Sequence, residues 1–304
     1  MKLVSFLNQK NEEQLGLCVN DEVFNLHSTM ADFLKGEEKT FKKAKSFLED
    51  CLKNQVKPEV EIKKILACVP HPTSLRDAYA FKEHVENSRK NRGLPMVPEF
   101  EKFPVFYFSN HNAIVGAGVL TLSKTHFKQL DFELEVACVI GKKGKNIKAL
   151  EADSYILGFS ILNDFSERSF QMEEMKLGLG PHKGKDFATA LGPWLVTKDE
   201  LSEHMIHTPY GNHYDLEMKA FHNGKQVSEG NLKTMHWTFA QIIERASLGV
   251  ELYPGDVIGS GTVGSGCFFE LNGKNKKEVW LKPNDVIELE VEKLGLLAHT
   301  LKIK

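Results

Sequence analysis

Asp131-Phe132-Glu133-Leu134-Glu135-Val136-Ala137-Cys138-Val139-Ile140-Gly141 is the stretch on which the reading of this 304-residue chain turns. It opens on strict alternation of acidic and apolar residues. Side chains of a strand point alternately to its two faces, so Asp131, Glu133 and Glu135 share one face and Phe132, Leu134 and Val136 the other. The continuation, Val136 to Ile140, is apolar throughout and predicts a strand buried on both sides. Neighbouring carboxylates on such a strand repel one another and are costly to bury unless something neutralises them. A hard cation would do so, and oxygen-only donors favour Mg²⁺, Ca²⁺ or Mn²⁺ over zinc. The same alternation also suits a half-exposed strand with a solvated acidic face. Ile287-Glu288-Leu289-Glu290-Val291-Glu292 reads that way, with Lys302 and Lys304 on a following strand as partners.

Working outward, the apolar run from Tyr155 to Leu162 leads into Asn163-Asp164-Phe165-Ser166-Glu167-Arg168. An aspartate at a strand end serves either as a further oxygen ligand or as the cap of the next helix or turn. From residue 69 onward, short strands and turn signals dominate. Asn223-Gly224 between LEMKAF and KQVSE, and Asn272-Gly273 between CFFEL and KKEVWL, predict two hairpins. Leu232, Met235, Phe239, Ile242, Ile243 and Ala246 predict one helix, closed by Gly249. Gly259-Ser260-Gly261-Thr262-Val263-Gly264 fits the dinucleotide fingerprint formally. Cys267 to Leu271 reads as strand, however, and no βαβ unit surrounds it, so the glycines point to a tight turn or a close approach to a ligand.

Before residue 69, the pieces Leu3 to Leu7, Leu15 to Val19 and Val23 to Leu26 read as strands, and residues 31 to 66 as helix. Cys68-Val69-Pro70-His71-Pro72 interrupts the pattern, because each proline biases its predecessor away from helix. The chain is therefore expected to divide into a small N-terminal α+β domain (1–68) and a large, mostly β catalytic domain (69–304).

Composition narrows the function classes. Lys+Arg is 39 and Asp+Glu is 41, a formal net charge of -2, which disfavours generic binding to nucleic acid or an anionic membrane. No apolar run reaches the roughly 18 residues of a membrane span. The opening MKLVSFLNQKNEE has no signal-peptide apolar region. The five cysteines are scattered, with no C-x-x-C pair, and read as free thiols of a reducing, cytoplasmic setting.

Four segments stand in order across about half of the chain: DFELEVACVIG, LNDFSERSFQ, GPHKGKDFATALGPWLVT and GDVIGSGTVGSGCFFEL. As a set, their E-x-E strand, N-D-x-S-x-R-x-x-Q turn, G-K-x-F…P-W segment and late G-S-G-T…E segment resemble the fumarylacetoacetate hydrolase family. Upstream, Asp77-Ala78-Tyr79-Ala80-Phe81-Lys82-Glu83-His84 and Pro104-Val105-Phe106-Tyr107 look like the fumarylacetoacetase-type members. Acylpyruvase-like members carry His-x-x-Glu on a lid helix, where this chain has His84-Val85-Glu86-Asn87.

The resemblance implies an α+β, mostly β fold with the family's β-roll, and a homodimer. It implies Asp77, Glu133, Glu135 and Asp164 as metal ligands, with Mg²⁺ or Ca²⁺ (or Mn²⁺) as the cofactor. It makes His84 the general base, Glu270 the residue that orients it, and Lys185 a catalytic cation. Gln171, Tyr79, Tyr107 and Thr262 would face the substrate. A family arginine beyond the histidine binds a substrate carboxylate. Arg92 and Arg89 are nearest here, out of register by at least one position. A tyrosine expected after Gln171 falls near Met175, and the interval from Asp164 to Lys185 is longer by about one residue. The segment from His84 to Gly93 is polar. It suits either an ordinary surface histidine or a mobile lid carrying the base.

The expected activity is metal-dependent hydrolysis of a carbon–carbon bond in a small-molecule β-diketo acid, as in fumarylacetoacetate to fumarate and acetoacetate, a step of aromatic amino acid catabolism. Within the family, acylpyruvate hydrolases, 2-oxo acid decarboxylases or isomerases and 2-keto-3-deoxy sugar acid dehydratases share the metal strand. A non-catalytic, metal-stabilised binding protein is the alternative outside it. That alternative has no use for both His84 and Glu270.

Overall fold

A computed structural model of the chain describes residues 1–53, 56–58 and 60–304. Its backbone is an eleven-stranded sheet. Nine strands form a continuous path: Glu22–Asn25, Glu13–Val19, Lys2–Asn8, Thr189–Thr197, Ile156–Asp164, Leu134–Ile140, Asp256–Gly259, Ser74–Ala78 and Phe106–Ser109. Ile62–Ile65 and Ile114–Val115 pair off this path. A second sheet of five strands runs in the order Lys225–Asn231, Glu217–His222, Val286–Val291, Gly295–Ile303 and Gly118–Leu122. The result is the mostly-sheet mixed fold expected from the sequence.

The carboxylate strand is central, which explains its apolar second half. Val136, Cys138 and Ile140 pack into a core with Phe159, Phe239, Leu289 and Leu301. Ala137 and Val139, on the opposite face, join a core with Leu3, Leu15, Phe33, Leu162 and Leu191. The single strand expected over 131–140 is broken: Leu130–Asp131 pairs with Ser166–Glu167 in a separate small sheet, residues 132 and 133 lie between, and the strand Leu134–Ile140 carries Glu135 before the buried Ala137 and Val139. The N-terminal strands and helices Met30–Lys35 and Glu37–Leu52 contribute to the core on that aliphatic part.

Register does the rest. Leu134 is paired with Asn163, which brings Asp164 alongside Glu133. Ala137 pairs with Gly259, Gly259 with Asp77, and Asp77 with Tyr107, so one line across the sheet brings Asp77 and Tyr107 to the strand that bears Glu135.

Several local expectations need correction. Asn223-Gly224 forms its hairpin, with φ of 51° and 74° as a two-residue primed turn requires. Asn272-Gly273 does not. It lies inside the helix Phe268–Asn275, and the segment read as strand is that helix's first turn. The Asp131 carboxylate accepts from the backbone N–H groups of both Phe268 (2.8 Å) and Phe269 (2.9 Å), so a tertiary cap overrides the local turn signal. A helix therefore does follow the glycine-rich segment. The next strand, Val286–Val291, belongs to the other sheet, so no dinucleotide-binding crossover exists there.

Residues 31–66 contain two helices and the strand Ile62–Ile65 rather than helix throughout. The helix expected from Leu232 is confined to Phe239–Ala246, because Thr238 and Gln241 form a capping box at its start. Glu288 and Glu290 lie on the less buried face of their strand as expected, but Lys302 donates to Asn284 instead of pairing with them. No helix of the described residues is long and apolar enough to cross a membrane.

Candidate active site

A cavity of about 340 Å³ opens over the start of the carboxylate strand, and its lining includes Asp77, Tyr79, His84, Arg92, Tyr107, Glu133, Glu135, Gln171, Lys185 and Thr262. Ten of the twelve residues singled out in the sequence thus meet at one place. The other two lie directly behind them. Asp164 accepts from Lys185 Nζ (2.6 Å) and from the Tyr107 hydroxyl (2.5 Å), and Glu270 holds His84. Phe106, Met172, Met175 and Phe269 supply the apolar wall, and Arg89, on the helix Lys82–Asn91, and Arg92, the residue that caps it, also line the cavity.

The carboxylates crowd because backbone permits it. Asp77 and Glu135 approach across Gly259, where a Cβ would lie 2.3 Å from Asp77 Oδ1 and 3.1 Å from Glu135 Oε2. Only a residue without a side chain leaves that space. Gly261 N–H donates to Asp77 Oδ1 (3.2 Å), and Thr262 Oγ1 donates to Glu135 Oε1 (3.3 Å). Asn163 Oδ1 fixes the Glu133 backbone N–H at 3.0 Å.

Two buried cations sit among these acids. Lys185 Nζ donates to Glu133 Oε2 and Asp164 Oδ2, both at 2.6 Å, and to Ser166 Oγ at 2.7 Å. Arg168 donates to Asp131 Oδ2 (2.9 Å), Glu133 Oε1 (2.8 Å) and Gln171 Oε1 (2.9 Å). Burial opposes the charge on Glu133, yet Lys185 and Arg168 outweigh it and hold that carboxyl well below the usual range. Asp77 and Glu135 have no such partner. Burial, followed by repulsion from Asp164, pushes Asp77 up to about 7. Burial, followed by Asp77 and Glu133, pushes Glu135 well up.

Five buried carboxylates (Asp77, Asp131, Glu133, Glu135, Asp164) therefore face two buried cations. Glu135 Oε2 and Asp164 Oδ1 have no hydrogen-bond partner among the described residues. Asp77, Glu133 and Glu135 can each bring an oxygen within 4.8 Å of the others. Unmatched negative charge, orphaned oxygens and an all-oxygen donor set fit a hard divalent cation. Of the four expected ligands, three converge, while the fourth, Asp164, is held by Lys185 and Tyr107.

The second functional group is a buried pair. His84 Nδ1 lies 2.5 Å from Glu270 Oε1; with the carboxylate accepting from Nδ1–H, Nε2 is the unprotonated, basic nitrogen. Glu270 Oε2 accepts from Asn87 Nδ2 (2.9 Å) and from the Ser265 N–H (3.0 Å). Tyr79 meets the imidazole edge-on at 5.4 Å. His84 is not the surface histidine that its polar neighbours permitted. His84, Val85 and Ser88 form the buried face of their helix.

Sequence reasoning passed over Arg168, Asp131 and Asn87. Arg168 stood in the quoted turn motif without a role. Asp131 stood on the acidic face but serves the helix Phe268–Asn275 and Arg168. Asn87 sits three residues after His84, the spacing that puts two side chains on one helix face, and that was the available signal.

The model of the family described as fumarylacetoacetate (FAA) hydrolase C-terminal matches residues 73–302. The human mitochondrial protein named oxaloacetate tautomerase FAHD2A is 33% identical over 289 residues, 93% of this chain and 83% of its own length. A 2,4-didehydro-3-deoxy-L-rhamnonate hydrolase of a Sphingomonas species is 38% identical over 178 residues, covering 58% of this chain and 56% of that protein. The solved fumarylacetoacetate hydrolase of Exiguobacterium antarcticum superposes with a TM-score of 0.70 over the whole of both chains at 22% identity, a likeness of fold. With the family match spanning the carboxylate strand, the Asn163-Asp164 turn and the segment bearing Glu270, the chain belongs to the fumarylacetoacetate hydrolase family.

Proposed function

We propose that the chain hydrolyses a carbon–carbon bond in a β-diketo acid, using His84 to activate water. The observation that carries this reading is the buried His84–Glu270 pair, 2.5 Å apart, beside a cavity ringed by carboxylates. A divalent cation, when held by Asp77, Glu133, Glu135 and Asp164, would supply Lewis-acid polarisation of a 1,3-dicarbonyl. The remaining chemistry belongs to the side chains. His84 Nε2 takes a proton from water as its oxygen adds to one carbonyl. Glu270 accepts from Nδ1–H throughout and, as a carboxylate, stabilises the imidazolium that forms, while Asn87 and the Ser265 N–H hold it in place. Arg168 occupies Gln171 Oε1, so the Gln171 amide group is the donor left for a substrate oxygen. Lys185 keeps a positive charge beside that oxygen. The departing carbon gains one proton, and the products are a carboxylic acid and a ketone.

A second reading is favoured by the human relative that covers 93% of the chain and is named a tautomerase. In that reading the same base moves a proton at the enolisable carbon of a β-keto diacid such as oxaloacetate, and no water is consumed. The test offers the chain acylpyruvates, fumarylacetoacetate and enol-oxaloacetate in H₂¹⁸O with Mg²⁺. Cleavage with one ¹⁸O in the new carboxylate supports the hydrolase. Rapid loss of enol absorbance without cleavage replaces it with the tautomerase.

A further inference from the structure

The hydrogen-bonded pair behind the cavity has a third member that hydrolysis does not use. Cys267 is fully buried, and its Sγ lies 3.7 Å from Glu270 Oε1, the oxygen that also meets His84 Nδ1 at 2.5 Å. Each of the three residues can offer one donor atom within 4.8 Å of those of the other two. Among the described residues, this is the one cluster of three potential ligands that contains sulfur; the other, Asp77, Glu133 and Glu135, is all oxygen.

We infer that His84 Nδ1, Cys267 Sγ and Glu270 Oε1 form a second metal site, selective for a thiophilic divalent cation such as Zn²⁺ or Cd²⁺. One nitrogen, one thiolate and one carboxylate oxygen are the donor types that zinc takes, and the hard ions suited to the carboxylate cluster do not seek sulfur. Zinc–ligand distances of roughly 2.0–2.3 Å set the edges of its coordination shell at about 3.3–3.6 Å. The sulfur–oxygen distance is already close to this, and the nitrogen–oxygen pair has to open by somewhat under ~1 Å. As the cation enters, it replaces the Nδ1 proton between His84 and Glu270. That proton and the thiol proton leave to solvent, so the new bonds balance.

The site has the outer support that metal centres use. Glu270 Oε2 is fixed by Asn87 and the Ser265 N–H, which aims Oε1 at the other two donors. His84 lines the cavity, which gives the ion a route in. Occupancy removes the hydrogen bond that prepares His84 as a base. On the functional reading proposed above, the ion is therefore an inhibitor that shares no ligand with the Mg²⁺ or Ca²⁺ cofactor.

The experiment uses the full chain, stripped of metal, saturated with excess Mg²⁺ and then given one equivalent of Zn²⁺. X-ray absorption at the zinc edge is expected to show a single sulfur at about 2.3 Å with nitrogen and oxygen neighbours at about 2.0–2.1 Å. Nitrogen and oxygen alone, or two sulfurs, would overturn the proposal. Cd²⁺ titration provides a second arm. A thiolate charge-transfer band that saturates at one equivalent should vanish in Cys267→Ser and Cys267→Ala, and should persist in Cys18→Ser and Cys51→Ser. Asn87→Ala should weaken Cd²⁺ binding by ~10–100-fold. A band that survives loss of Cys267 sinks the idea. The spectra need no turnover, so this assignment and the hydrolase reading fail or stand separately.

Discussion

Lys185 Nζ lies 2.6 Å from Asp164 Oδ2, and the lysine and the aspartate are both almost wholly buried. The same ammonium holds Glu133 at 2.6 Å. Lys185 thus neutralises part of the charge that a divalent ion would neutralise from the other side. Lys185→Met removes one partner of a buried pair and leaves two carboxylates short of a cation. Without metal it should lower stability by about 3–5 kcal/mol. Saturating Mg²⁺ should then recover more stability in the variant than in the parent. Thermal unfolding with and without Mg²⁺ measures this, and an identical gap in both conditions would count against the shared role.

Glu135 is the acid with the least to gain from staying charged in the metal-free protein. Its Oε2 has no partner among the described residues, and burial with Asp77 and Glu133 close by pushes its carboxyl well up. Glu135→Gln keeps the shape and removes an ionisable group. It should leave metal-free stability equal or slightly higher while abolishing stabilisation by Mg²⁺ or Ca²⁺. At 100 times its dissociation constant, an ion that binds only the folded chain contributes about 2.7 kcal/mol, and that increment should be absent. Calorimetry across a metal titration decides. A variant that still gains from the ion excludes Glu135 as a ligand.

His299 gives a pH test outside the acid cluster. It is buried against Phe165, its Nε2–H donates to Gly116 O at 3.0 Å, and burial lowers its pKa to about 4. In the unfolded chain the imidazole protonates near its ordinary value of about 6.5. Between pH 6.5 and 4 the unfolded state therefore binds more protons, and stability falls as pH falls through that window. The full effect of this one group is ~3 kcal/mol. His299→Gln retains an amide donor without the titration. The difference in unfolding free energy between parent and variant should change by that amount from pH 7 to pH 4. A pH-independent difference would show that His299 is not held neutral.

Gly273 controls how the helix Lys82–Asn91 docks. A Cβ at position 273 would lie 2.1 Å from Asn91 Oδ1, and Asn91 Nδ2 donates to Phe269 O at 3.0 Å. Gly273→Ala gains up to ~1 kcal/mol of helix propensity but pushes the flexible Asn91 side chain aside. The midpoint of unfolding should move little, whereas amide exchange in residues 82–91 should quicken. Unchanged exchange would mean that this contact does not hold the helix down.

What could be read in advance follows a physical boundary. The apolar run after Glu135 is local, and Leu134–Ile140 is the doubly buried strand it predicts; the alternation before it is interrupted, since Asp131 pairs with Ser166 in a separate small sheet. Asn223-Gly224 is also local, and it makes its hairpin. Asn272-Gly273 carries the same signal and fails, because the Asp131 carboxylate, more than a hundred residues away, caps a helix there. Arg168 escaped a role for the same reason. Its partners Asp131 and Glu133 become neighbours only through the pairing of Ser166 with Asp131 and Leu134 with Asn163. Lys185 was legible as a site residue, but its bonds to Glu133 and Asp164 depend on strand register that no single segment encodes.

The His84–Glu270 pair allows the sharpest separation of the two functional readings. The carboxylate cluster serves both, so its mutation cannot distinguish them. His84→Ala should reduce cleavage of an acylpyruvate or fumarylacetoacetate by about 10²–10⁴-fold, while Mg²⁺ stabilisation stays nearly unchanged, because no carboxylate of the cluster is altered. Glu270→Gln acts through the same imidazole. The double variant should therefore be far less impaired than the product of the two single losses. Asn87→Ala leaves His84 and the Ser265 N–H contact intact and should give a smaller loss, mostly in kcat, since it loosens the orientation of Glu270 without touching substrate. If the parent cleaves no diketo acid but equilibrates enol-oxaloacetate, the same variants become the test of a C3 proton transfer. His84→Ala should then slow exchange of the C3 hydrogen with solvent deuterium, and a variant that exchanges it as fast as the parent removes His84 from both mechanisms.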